Sequence, residues 1–308
     1  MTIPEATDTR RTATAADILP HSIAPLFVLI WSTGFIGARY GMPYAEPATF
    51  LALRFGGVLV LMIPVVLVLR ASWPPRTQVL HIAVAGMLIQ GGYLLGVFEA
   101  IRLGMGAGLA ALIVGLQPVL TAVFAAVVNE WIGIRQWFGL ALGLAGVTLV
   151  VWERLAFSGL GVASVLAAIG ALLSITFGTL YQKRFTPNFD LRIGSVIQFG
   201  AALLLVVPVS LILETREVEW TTTLIGAMLW SVLALSLGAV SLLFLLIRRG
   251  AATKVVSLMY LTPGVTALMA WVLFDEVLTW AMAVGVALTA VSVASMMRAP
   301  AKQPRVSE

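Results

Sequence analysis

Ten stretches of mostly apolar residues follow one another along this chain, at about 22–40, 48–70, 79–101, 106–127, 133–152, 159–182, 192–213, 224–247, 252–274 and 277–297. A helix of ~20 residues crosses the hydrocarbon core of a bilayer. Because no water is there to bond the backbone, only helices and closed barrels can span it. The segment lengths predict ten transmembrane helices, spans 1 to 10, and an all-α polytopic membrane protein. Composition agrees: 60% of residues are hydrophobic and 11% charged, against roughly 25% charged in a soluble domain. Trp73, Trp131, Trp152, Trp220 and Trp280 fall near span ends, where indole rings anchor at the interface. Residues 1–21 read as a disordered tail, since no small-residue cleavage site follows the first apolar run; residues 298–308 read as a second tail.

The chain is also written twice. Arg54, Phe55, Gly56 and Pro64 are answered 144 residues on by Gln198, Phe199, Gly200 and Pro208. Gly104, Glu130 and Gly139 are answered 146 on by Gly250, Glu276 and Gly285, and Pro118 is answered 145 on by Pro263. The halves are a first five-helix repeat over 22–152 and a second over 153–297. With both termini cytoplasmic, fourteen Lys and Arg face inside, and Arg39, Arg102, Arg154 and Arg216 face outside. That asymmetry follows the positive-inside rule. Five spans is an odd number, so the second repeat enters the membrane inverted, an arrangement that underlies alternating access in many transporters. Three lysines against sixteen arginines fit a GC-rich bacterial genome and hence a bacterial inner membrane.

The ordered recurrence of Pro118, Glu130 and Gln136-Trp137-Phe138-Gly139 in one half, and of Pro263, Glu276 and Gly285 in the other, resembles the drug/metabolite transporter superfamily in its ten-span EamA-type branch. Trp31-Ser32 and Arg54 are similar to it as well. The resemblance covers roughly residues 24–297. It departs in one place: Pro118 to Glu130 is 12 residues and Pro263 to Glu276 is 13. The resemblance implies ten helices around a central cavity lined by spans 1, 3, 4, 6, 8 and 9. Within the superfamily the chain looks most like exporters of amino acids, aromatic ones included, and of related metabolites.

Candidate substrate-binding residues are polar and aromatic side chains at mid-depth: Trp31, Ser32, Gln90, Tyr93, Gln117, Ser174, Phe177, Ser236, Tyr260 and Thr262. Each alone is more often glue between helices; as a set they fall on the spans the resemblance places around the cavity. Neutral polar groups beside aromatic faces suit a zwitterion with an apolar side chain, its ammonium against Trp31 or Tyr260. Pro118 and Pro263 are candidate hinges, since a mid-helix proline leaves the carbonyls of Val114 and Met259 without a partner. Pro64 and Pro208 are structural kinks or hinges away from the cavity. Arg54 is expected to snorkel to the outer interface, Glu99 to pair with Arg102 at i+3, and His81 to be a surface imidazole. Glu130 and Glu276 are expected to sit at the N-terminus of the helix that follows each.

No Asp, Glu, Lys or His lies at the centre of a span, which argues against a proton-driven exporter of cationic drugs. The expected function is therefore export of amino acids or similar small metabolites. A multidrug or other metabolite exporter, for instance of sugars, is the alternative. A membrane enzyme lacks its motifs here: there is no His-Glu-x-x-His, Gly-x-Ser-x-Gly or phosphate-binding loop. A non-transporting receptor would want a soluble sensor domain. No cofactor or metal is implied, and no basic cluster with aromatics points to nucleic acid. The expected partners are a small-molecule substrate and the lipid bilayer. Gly37/Gly41, Gly92/Gly96, Gly104/Gly108 and Gly139/Gly143 read as packing contacts within a monomer in preference to a dimer interface.

Overall fold

The computed structural model describes residues 15–129, 134–157, 159–239, 242 and 261–297. Glu130, Tyr260 and the two outer tails (1–14 and 298–308) lie outside them. The described chain is a helical bundle. Span 1 is Ala15–Gly41, beginning inside the stretch expected to be tail, and span 2 is Pro47–Val68. Span 3 is Arg76–Arg102, span 5 Ile134–Phe157, span 6 Val162–Phe185, span 7 Leu191–Leu213 and span 10 Trp280–Met297. Span 8 is described over Thr222–Ala239 and span 9 over Thr262–Phe274. Among the described residues, six helices are long and apolar enough to cross a membrane, those of spans 2, 3, 5, 6, 7 and 8; shorter apolar helices serve spans 4, 9 and 10. Polar residues start them where the loops predict. Asp190 accepts from the Arg192 N–H at 2.9 Å ahead of span 7, and Thr221 from the Leu224 N–H at 3.2 Å ahead of span 8.

The duplication is visible as matched contacts. Spans 2 and 7, counterparts in the repeat, pack along each other with Phe55 and Phe199, themselves counterparts, 5.6 Å apart. Spans 5 and 10 do the same: the Ser292 hydroxyl donates to the Gly139 carbonyl, and Gly146 lies against the backbone of Gly285. Those two contacts exchange under the 146-residue offset. Counterpart spans also run in opposite directions. Span 3 ends at the end of the bundle that carries loops 42–46, 103–106 and 214–221, while span 8 starts there. We call this the loop-clasp end.

Gly86 brings span 3 closest to span 7: a Cβ there would lie 2.4 Å from the Gln198 Cα, so the two backbones touch only because position 86 has no side chain. Of the glycine pairs of the sequence, Gly92 and Gly96 serve packing in the same way, facing Ser174 and Ala171 of span 6, whereas Gly104 faces open space.

Two departures from regular helix were not expected. Spans 3 and 8 widen to π-helix over Met87–Gly92 and Ser231–Ala239. The offset of 146 carries the first onto Leu233–Gly238, inside the second. Such segments often mark functional sites, because they aim side chains out of the regular ladder. Span 4 departs further. The expected kink at Pro118 is a full interruption: one helix ends at Val114, Gly115 and Leu116 turn, and a second runs Gln117–Asn129. Pro118 occupies the first turn of that second helix, where a missing N–H costs nothing. Pro263 likewise falls in the first turn of Thr262–Phe274. By contrast Pro64 and Pro208 sit inside continuous helices.

Candidate functional site

Between the two π-helical segments lies a cavity of about 100 Å³. Trp31 from span 1, Gln90 and Tyr93 from span 3 and Ser236 from span 8 line it, four of the residues expected at the site. Gln90 and Ser236 are counterparts at the 146 offset, so the same register position of each repeat faces the same space. The apolar wall comes from Phe35, Leu94, Phe98, Ile175, Phe199 and Leu235, among others.

Among the described residues the lining spans differ from those expected. Spans 4 and 9 contribute no described residue to this cavity, whereas spans 2 and 7 contribute Arg54 and Phe199. Both π segments contribute to the same lining, Ile89 and Gln90 from one and Leu235 and Ser236 from the other. Arg54 is corrected too. It does not snorkel: it is 6% exposed, and its Nε and Nη2 donate to the Ser236 hydroxyl at 3.3 and 3.2 Å. The cavity therefore holds a cation, and its expected neutrality is wrong. A single charge on an otherwise apolar span was the signal available in the sequence, and its length invited the snorkelling interpretation.

The other expected residues lie elsewhere. Ser174 donates to the Leu88 carbonyl at 2.8 Å, a span-6 hydroxyl serving the π segment of span 3. Gln117 donates to Thr179 at 3.1 Å. Phe177 is 45% exposed and packs on Phe124 with ring centroids 4.9 Å apart. Ser32 and Thr262 are buried with hydroxyls that find no partner among the described residues, each at a cost of ~1–3 kcal/mol unless water or a ligand meets it. Thr266 of span 9 reaches the Ser32 carbonyl at 3.5 Å, next to Trp31 on the cavity wall. The N-terminal part of the Thr262–Phe274 helix is thereby joined to the cavity through span 1. In the first turn of that helix the Pro263 ring seats on Gly115, where a Cβ would lie 2.8 Å from the proline Cγ.

The loop-clasp end is held by two reciprocal carboxylates, Glu214 capping span 2 and Glu46 bonding the loop that follows span 7. Glu46 occupies the N-cap position of span 2 but makes no cap there. Its carboxylate accepts instead from the Thr215 N–H at 2.6 Å, the Thr215 hydroxyl at 2.9 Å and the Arg216 N–H at 3.2 Å. Glu214 returns the exchange, accepting from the N–H groups of Ala48 and Thr49 and the Thr49 hydroxyl, each at 2.7 Å. Partial burial pushes the Glu46 carboxyl up, but the bonds from Thr215 and Arg216 outweigh it and hold the group below the usual carboxylate range. Arg216 adopts a left-handed φ of 63° within this clasp. Ala45 and Val218 form an antiparallel bridge alongside.

Glu276 behaves similarly, with a correction. Its carboxylate caps span 4 and not the helix that follows it, accepting from the Ala107 N–H at 3.0 Å, with Arg39 at 4.0 Å. Gly106, the N-cap of that helix, has no side chain to do so. A second cavity, of about 200 Å³, opens here between Arg39, Arg154 and Glu276. Glu99 and Arg102 pair as expected, at 2.7 and 2.9 Å. At the opposite end His81 is no free surface imidazole: it bonds Tyr181 at 2.7 Å and stacks on Phe185 with centroids 4.8 Å apart.

A duplicated, inverted helical bundle with a small mid-depth cavity between two π-helical segments defines a polytopic membrane protein of the transporter type. The model of the EamA-like transporter family matches residues 21–152 and again 162–298, and the chain belongs to that family. It is 28% identical to YvbV of Bacillus subtilis, described as an uncharacterized transporter, over 86% of this chain and 87% of that one. It is 26% identical to the uncharacterized inner membrane transporter YedA of Escherichia coli K12, over 88% and 90%. It is also 26% identical to a probable amino-acid metabolite efflux pump of Salmonella typhimurium, over 83% and 87%. A crystal structure 20% identical superposes with a TM-score of 0.61 over 90% of this chain and 96% of that one, which is a likeness of fold.

Proposed function

We propose that this membrane transporter exports amino acids or similar small metabolites from a bacterial cytoplasm by alternating access, with both termini cytoplasmic and the loop-clasp end outside. The observation that carries the reading is the cavity between the two π segments, where counterpart positions Gln90 and Ser236 face one space. A site on the pseudo-twofold is one that either half can close over. The Gly115-Leu116 turn and the start of the Thr262–Phe274 helix, in contact through Pro263, provide the flexible points, and the clasp is the gate that opens when the halves rock. The name of the Salmonella relative supports the substrate class, and that of the Escherichia coli relative supports the inner membrane.

Counterflow into proteoliposomes, across a panel of labelled amino acids and sugars, tests the function. Saturable, trans-stimulated uptake of one or more amino acids is expected. Absence of flux for every amino acid would sink the substrate class.

A further inference from the structure

We propose that Arg54 is the carboxylate anchor of the transported molecule, so that this cavity selects small organic acids, amino acids foremost, over amines and neutral sugars. The inference rests on the reading that the cavity between spans 3 and 8 is the transport site. Arg54 is 6% exposed and lines that cavity. Its one hydrogen-bond partner among the described residues is the Ser236 hydroxyl, at 3.3 and 3.2 Å. Those are long bonds for a charged donor, and Ser236 spends its own proton on the Ser231 carbonyl at 3.0 Å. Among the described residues no carboxylate forms an ion pair with Arg54. A guanidinium carries five N–H donors in a planar fork that matches a carboxylate in two parallel bonds. Buried charges at membrane depth are paired or face water, and the space in front of this one is where an anion can enter.

The duplicated architecture does not itself require the cation. The counterpart of Arg54 on span 7 is Gln198, also buried, and its amide is spent on Gln182 at 2.8 Å. The same position beside the Phe55/Phe199 pair is thus served by a neutral side chain in one half and a cation in the other. The cation lies on the half whose partner segment presents Ser236 to the cavity. Trp31, Gln90 and Tyr93 around it supply an aromatic face and neutral acceptors for an ammonium or a side chain.

Binding of tritiated L-leucine, L-phenylalanine and L-threonine to the purified full-length chain tests this, with each acid competed by its unlabelled form, its methyl ester and its decarboxylated amine. At least one acid is expected to bind, with its ester and amine weaker by about 100-fold or more, because a site built to bond a group rejects analogues lacking it. Arg54→Gln is expected to lose that preference and Arg54→Lys to keep part of it. Competition by the amine or ester equal to that of the acid would overturn the proposal, and this result needs no variant to fold. So would an unchanged preference in a monodisperse Arg54→Gln protein. Counterflow of sugars or amines without any acid would defeat the anchor and leave a transporter standing; no flux of any kind defeats both.

Discussion

Gly115→Val is expected to cut counterflow by at least about tenfold, a change that ~1.4 kcal/mol at a moving contact suffices to produce. A Cβ at position 115 would lie 2.8 Å from the Pro263 Cγ and 3.1 Å from the carbonyl oxygens of Ala111 and Leu112. The proline ring cannot rotate away, and the carbonyls belong to the helix that ends at Val114. Spans 4 and 9 must therefore separate. Overpacking of this kind costs about 1–3 kcal/mol. Gly115→Ala is expected to fall between wild type and valine in both flux and melting temperature. Reconstituted protein, matched for amount and for monodispersity before insertion, separates a blocked contact from a misfolded chain. Wild-type flux together with a wild-type melting temperature in Gly115→Val would show that the span-4 turn and Pro263 do not bear on each other.

Glu214→Ala is expected to destabilise the protein by about 2–3 kcal/mol. It strips the first turn of span 2 of a carboxylate bonded to two backbone N–H groups and a hydroxyl, combining the loss of a helix cap with that of charge-assisted bonds. Glu46→Gln is expected to cost under ~1 kcal/mol, since that carboxylate is largely hydrated. The pH dependence identifies it. The folded-state pKa of Glu46 is depressed, so its contribution is present in full above the ordinary carboxylate range and is lost as pH falls through the depressed value. The melting temperatures of wild type and Glu46→Gln should differ at neutral pH and converge in acid. A difference that grew on acidification would contradict the hydrogen-bonded clasp.

The bundle was legible in the sequence because lipid leaves the backbone few choices. Lengths of apolar runs set the helices, and Phe55 and Phe199, legible only as repeat counterparts, prove to touch in the structure. What could not be seen was local. Pro118 announced a disturbance, but whether it kinks or interrupts span 4 depended on Gly115 and on the proline of the other half resting against it. The π segments carry only Gly91-Gly92 and Gly238 as markers, and glycines in membrane helices more often mean close packing. Arg54 was misjudged because a long side chain near a helix end can reach the interface, and only its burial and its bonds to Ser236 show that it turns inward. Glu276 was correctly structural and wrongly placed, because its helix partner lies 169 residues away at Ala107.

The chain has no cysteine, which makes a single engineered disulfide the most direct test of alternating access. The Thr49 and Ser210 hydroxyls of spans 2 and 7 lie 2.7 Å apart inside the clasp. In Thr49→Cys/Ser210→Cys protein, oxidation is expected to abolish counterflow and reduction to restore it, with neither single variant responding to oxidant. Full cross-linking with undiminished flux would contradict a gate that opens by movement of the two halves.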